Sequence, residues 1–169
     1  MSELKIRFTK KRDGSVVSHF ERADGTATWM KKEGPNAWFF VAHDLTHFAV
    51  ETILGHRRGF YGLIAEGWEL SDFGTPWPRG PLPPDAEPSE LIAGFLDLER
   101  GTMNEWPAEE FNARAADYFS THKLENPPLL ADQQLRTIRA KVRELHVCWG
   151  KMAEGETLEL DFDRVKTGI

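Results

Sequence analysis

Residues Phe39–Gly74, FFVAHDLTHFAVETILGHRRGFYGLIAEGWELSDFG, decide how the rest of the chain is arranged. His43 and His47 stand four apart in a strongly apolar run whose pattern predicts a helix over 37–54. Gly55 closes it, and His56, Arg57 and Arg58 follow at its carboxyl end, where basic side chains suit the negative end of the helix dipole. Residues four apart on a helix share a face, about 40° from each other, and Glu51 extends the row by one more turn. Phe39, Phe40, Val50 and Leu54 flank that stripe, while Val41, Leu45, Phe48 and Ala49 cover much of the other side. A helix that is apolar nearly all round is a buried one. Unpaired buried polar groups cost about 1–3 kcal/mol each, so two imidazoles and a carboxylate there need partners. A divalent metal would satisfy all three at once.

A second apolar helix is predicted over 60–70, punctuated by Gly59, Gly62 and Gly67, which lower helix propensity but let other groups approach the backbone closely. Glu66 is the only charge in its FYGLIAEGW run and raises the same question as the histidines. Residues 74–88, GTPWPRGPLPPDAEP, are too rich in Pro and Gly for a regular element and form a loop, with Trp77 and Arg79 as its side chains of binding potential.

Outward from this centre, residues 4–30 read as strands. Leu4, Ile6 and Phe8 alternate with polar residues, and the Asp13-Gly14 and Asp24-Gly25 pairs mark tight turns. Downstream, helices are predicted over 89–100, 107–122 and 130–152, followed by a strand over 157–162 in which Leu158, Leu160 and Phe162 alternate with acids. Leu135, Ile138, Val142, Leu145, Trp149 and Met152 recur at spacings of three and four, a core-facing stripe that could alternatively pair two chains as a dimer through helix 130–152. The expected architecture is α+β, a largely antiparallel sheet from the N-terminal strands and the C-terminal strand with about five helices packed on it, in a single domain over 1–169.

Composition narrows the function. The formal net charge is −6, which argues against a nucleic-acid partner or an anionic membrane surface, since both prefer a basic face. The lone Cys148 excludes an intramolecular disulfide and a cysteine-rich zinc site, and its apolar HVCW setting reads as a small buried hydrophobe. No apolar signal core lies in the first twenty residues and no apolar run reaches the ~18 residues needed to span a bilayer. A cytoplasmic location is the expectation.

The core motif is His43-Asp44-Leu45-Thr46-His47. Two histidines at i and i+4 can both reach one zinc ion at about 2.0–2.1 Å. Residues 43–74 resemble the active-site helices of thermolysin-like zinc proteases, the gluzincins, in the Leu-Thr-His form of the signature, in a glutamate nineteen residues after His47, and in the Ser71-Asp72 pair that follows. That resemblance implies zinc held by His43, His47 and Glu66, with a water-activating carboxylate just after the first histidine. Here that residue is Asp44, one methylene shorter than the family's glutamate. Asp44 and Glu51 are thus the candidate catalytic residues. Glu51 also competes with Glu66 as third ligand, although His43, His47 and Glu51 span about 12 Å of helix rise. The implied function is a small zinc-dependent hydrolase, peptidase-like in its site, acting on an unknown substrate. The alternative is a non-catalytic binding domain with a structural metal or a buried histidine network.

Overall fold

A computed structural model describes residues 2–164. Its four-stranded antiparallel sheet runs in the order β3-β2-β1-β4, built from β1 (Leu4–Lys10), β2 (Val16–Arg22), β3 (Ala27–Lys32) and β4 (Thr157–Phe162). The fold is α+β, with three N-terminal strands and one C-terminal strand. The C-terminal strand pairs with β1, placing Leu4 opposite Phe162 and Ile6 opposite Leu160. Period-two alternation sets the faces: Leu4, Ile6, Phe8, Phe20 and Phe162 point into the core, while Lys5 and Glu21 look outward. Both hairpins use one device. Asp13 and Asp24 each accept the backbone N–H two residues on, at 2.9 Å, and Gly14 and Gly25 between them take φ of 81° and 85°.

There are five helices, α1 (Ala37–Leu54), α2 (Phe60–Ala65), α3 (Glu87–Thr102), α4 (Ala108–Thr121) and α5 (Asp132–Lys151), of which α1, α2 and α5 reach the inner face of the sheet. Helix α1 packs between α3 and α5, and Trp149 of α5 meets Phe8 edge-on at 6.3 Å between centroids. Tyr61 of α2 packs on Phe20 and Phe162, and its hydroxyl donates to the carbonyl of Asp44 at 2.7 Å. Arg22 ties the sheet to the end of α2, donating at 2.7 Å to the carbonyls of both Ile64 and Trp68.

The structure departs from the sequence reading in four places. Helix α2 stops at Ala65, well short of residue 70, and a 3-10 turn at Leu70–Phe73 follows. Gly67, at φ 103°, turns the chain where a helix would have continued. Most of the first turn of α1 is not buried: Ala37 is covered, but Trp38, Phe39 and Phe40 are exposed, and continuous burial begins at Val41 and Ala42. Cys148 is exposed, since the buried stripe of α5 runs through Leu135, Ile138, Val142, Leu145 and Trp149 and leaves its neighbour about 100° off that face. The same stripe is spent within the chain's own core. The loop expected over 74–88 ends early, because Pro84–Ala86 form a 3-10 turn and α3 begins at Glu87. Before it, Arg79 pairs with Asp72 at 2.8 Å and bonds the Gly67 carbonyl at 2.7 Å. Among the described residues no helix is long and apolar enough to cross a membrane.

Candidate metal centre

Helix α1 carries His43 and His47 to the line where α3 crosses it. The helix period alone brings the two rings together: their centroids are 4.7 Å apart and their Nε2 atoms 3.1 Å apart. From α3, Glu90 Oε2 comes to 3.6 Å from His47 Nε2. His43, His47 and Glu90 form a group whose ligand atoms all lie within 4.8 Å of one another, close enough to hold one metal ion. Two donors each about 2.0–2.1 Å from a tetrahedral ion lie about 3.3 Å apart, and the observed separations of 3.1 and 3.6 Å bracket that value. His47 is buried, whereas His43 and Glu90 are each about a third exposed, at 33% and 29% of their side chains. The group therefore has one edge open to solvent.

The outer nitrogens define the chemistry of the inner ones. His43 Nδ1 lies 2.6 Å from Asp97 Oδ2, on α3, so it carries the hydrogen and leaves the Nε2 lone pair facing inward. Asp97 is itself held by Arg100 at 3.0 Å, and the Thr46 hydroxyl stands 3.3 Å from its other oxygen. Burial pushes the Asp97 carboxyl up, but the His43 and Arg100 contacts outweigh it and hold the group below its usual range. His47 Nδ1 faces Glu51 Oε1 at 3.5 Å, an ion contact rather than a hydrogen bond, and is otherwise a buried nitrogen without a partner among the described residues. With both outer nitrogens turned to carboxylates, two imidazole lone pairs would confront each other at 3.1 Å. That geometry is repulsive unless something fills the gap: a hydrogen on His47 Nε2, carried by the neutral ring or by the imidazolium, or a metal ion in its place. In the metal-free protein the proton resides on His47: burial opposes its charge, yet Glu90 first, then Glu51 and Asp44, raise its pKa to about 9.

The remaining predicted residues are placed as follows. Glu51 is buried and turned away from the solvent edge, accepting the backbone N–H groups of Tyr61 at 3.1 Å and Gly62 at 3.3 Å at the start of α2. Gly59 is obligatory for this contact, because a Cβ there would collide with the Glu51 carboxylate. Burial raises the Glu51 pKa against the opposing pull of His47. Asp44 is buried beside the histidines, and no hydrogen-bond donor reaches its carboxylate among the described residues. Desolvation raises its pKa to about 6, with Lys32, His43 and His47 opposing and Glu90 adding to the rise. Glu66 does not join the group. It caps the end of α2 at the surface, paired with Arg58 at 3.0 Å and Arg164 at 3.1 Å. Of the other histidines, His56 Nδ1 meets the buried Ser89 hydroxyl at 2.5 Å, and His146 Nε2 donates to the Ala42 carbonyl at 2.8 Å.

Sequence reasoning missed Glu90 and Asp97. The signal was there: they stand seven apart, two turns of helix and so within about 20° of one stripe, with the small Ala93 and Gly94 between them. An acidic stripe interrupted by small residues can lie against a histidine stripe. Which helix it would face is a tertiary fact that spacing alone does not contain. Comparison with protein-family models, curated proteins and solved structures finds no match to this chain.

Proposed function

We propose that the protein binds one zinc ion through His43, His47 and Glu90 and uses it in a small hydrolase-type site. The observation that carries this reading is the pair of inward-facing Nε2 atoms at 3.1 Å, with a carboxylate oxygen 3.6 Å away and a further carboxylate behind each ring. Imidazole and carboxylate ligands in a two-to-one ratio suit zinc, and three protein ligands with a solvent-facing edge match the catalytic rather than the closed structural type of site. Zinc held by these three residues would supply Lewis acidity and would lower the pKa of a water bound to it.

The chain's own residues do the rest. Asp97 fixes the ring orientation and tautomer of His43, and Arg100 fixes Asp97. Glu51 performs the looser equivalent behind His47 while anchoring α2. Asp44 is the proton acceptor in this proposal. It follows His43 directly, as the glutamate follows the first histidine in thermolysin-like proteases, and its carboxylate has no competing protein donor. Glu90 from α3 takes the ligand role that the resemblance would give to Glu66.

The test is hydrolysis of a panel of peptide and ester substrates by zinc-loaded protein, with Asp44→Asn and Asp44→Glu alongside the parent. Activity that requires zinc, falls at least about 100-fold in Asp44→Asn and survives in Asp44→Glu supports the reading. Zinc binding with no metal-dependent hydrolysis in any of the three proteins leaves the metal site standing and removes the hydrolase.

A further inference from the structure

A cleft of about 360 Å³ opens between α3 and α5, within the roughly 300–1,000 Å³ typical of small-molecule sites. None of His43, His47, Glu90 and Asp97 lines it; Arg100 alone touches both places, through its bond to Asp97. Leu96 and Val142 form its apolar wall, and Met103 stands at its rim, 91% exposed and long enough to fold over an occupant. The floor is the Arg139–Glu99 pair, whose charges are spent on each other: Arg139 gives Glu99 bonds of 2.7 and 3.0 Å and a third, of 2.7 Å, to the Trp106 carbonyl.

The other two cationic groups are Arg100 and Arg143, each paired with one carboxylate. Arg100 donates to Asp97 through one terminal nitrogen, but its Nε–H is buried and meets no acceptor among the described residues. That N–H is sealed from solvent, so an occupant of the cleft meets Arg100 through Nη1, which has no acceptor among the described residues. Among the described residues Arg143 pairs only with Glu105, at 2.7 Å, and both side chains are more than half exposed, so solvent screens the pair. His146 adds no charge: burial lowers its pKa, and with Nε2–H given to Ala42 its Nδ1 is an acceptor. In a chain of net charge −6, this spot sets three arginines and two glutamates around apolar walls, with Asp97 behind Arg100 balancing the third arginine.

We infer that the α3–α5 cleft binds a small amphipathic monocarboxylate, its carboxylate on Arg100 and Arg143 and its alkyl chain against Leu96, Val142 and Met103. Arginine forks fit a carboxylate, and the walls reward an apolar body that inorganic anions lack.

Calorimetric titration of the purified protein with octanoate tests this, with acetate, inorganic phosphate and octylammonium as comparison probes. Octanoate should saturate one site per chain and bind at least about tenfold tighter than acetate, because each buried methylene contributes about 0.8 kcal/mol. Octylammonium should not compete. Arg143→Glu, a surface change that leaves the core intact, should weaken octanoate by about tenfold or more, and Arg100→Gln should weaken it too. No saturation by millimolar octanoate would overturn the inference. So would equal binding of phosphate or octylammonium, or an affinity unmoved by both variants. The same titration of His43→Ala/His47→Ala should give unchanged octanoate binding, which separates this cleft from the metal centre.

Discussion

Glu66 and Glu90 are both glutamates at helix ends, twenty-four residues apart, and their sequence settings point the wrong way. Glu66 sits in an apolar run, FYGLIAEGW, and ends up on the surface between Arg58 and Arg164. Glu90 follows the Pro-rich loop, in PPDAEPSE, and ends up 3.6 Å from a buried histidine. Apolar neighbours report that a helix has a buried face; they do not report which residue occupies it. Helix α2 places Tyr61, Leu63 and Ile64 inward and then stops, so its last residue is free to turn out. Helix α3 lies along α1, and its Glu90–Asp97 stripe falls on the histidines.

The sharpest way to break that contrast is to remove each carboxylate. Glu90→Ala should lower zinc affinity by at least about 100-fold, whereas Glu66→Ala should leave it within a few-fold and cost under about 1 kcal/mol of stability. A competition titration against a chromophoric chelator reads both. Equal losses would restore Glu66 as the ligand. Behind the ligands, Asp97→Asn keeps the shape but weakens the acceptor for His43 Nδ1–H. The expected loss is about 10- to 100-fold in zinc affinity, measured in the same titration.

Asp44 extends the comparison to stability. Its folded pKa of about 6 lies above the ordinary 3.8, so the folded state holds its proton longer than the unfolded chain. The contribution of Asp44 is full below pH 3.8 and is lost as pH rises through 6. Asp44→Asn should therefore stabilise the metal-free protein by on the order of 2 kcal/mol at pH 7.5 and hardly at all at pH 4. Denaturant melts at the two pH values decide it; a variant less stable at pH 7.5 would mean that the carboxylate is compensated there.

His47 has the opposite charge type. With a folded pKa raised from 6.5 to about 9, the stability from its imidazolium is present below 6.5 and lost as pH climbs through 9. Zinc must displace that proton. Its apparent affinity should rise with pH, by up to about tenfold per unit, until about pH 9, with one proton released per ion bound. Calorimetry in buffers of different ionisation enthalpy counts the proton. A flat affinity between pH 7 and 9 would show that His47 is already neutral.

Much of the fold was legible because its signals are local. Alternation in Leu4–Phe8 and Leu158–Phe162, two Asp-Gly turns and the stripe of α5 each depend on a few neighbouring residues, and the order of strands and helices follows from them. The histidine pair was legible for the same reason, since one helical turn sets its spacing. The third residue of the group depends on how α1 and α3 pack. No period within α1 encodes that. The burial of Glu51 under α2 was half legible: Gly59 and Gly62 signalled close approach, and the structure supplies the group that approaches Gly59.

The most direct measurement is the zinc content of untagged protein by elemental analysis, before and after dialysis against zinc, alongside His43→Ala/His47→Ala. The predicted result is about one zinc per chain in the parent and none in the double variant. Equal zinc in both proteins, or none in either after loading, would contradict the account. In the second case only a hydrogen would lie between the two imidazoles.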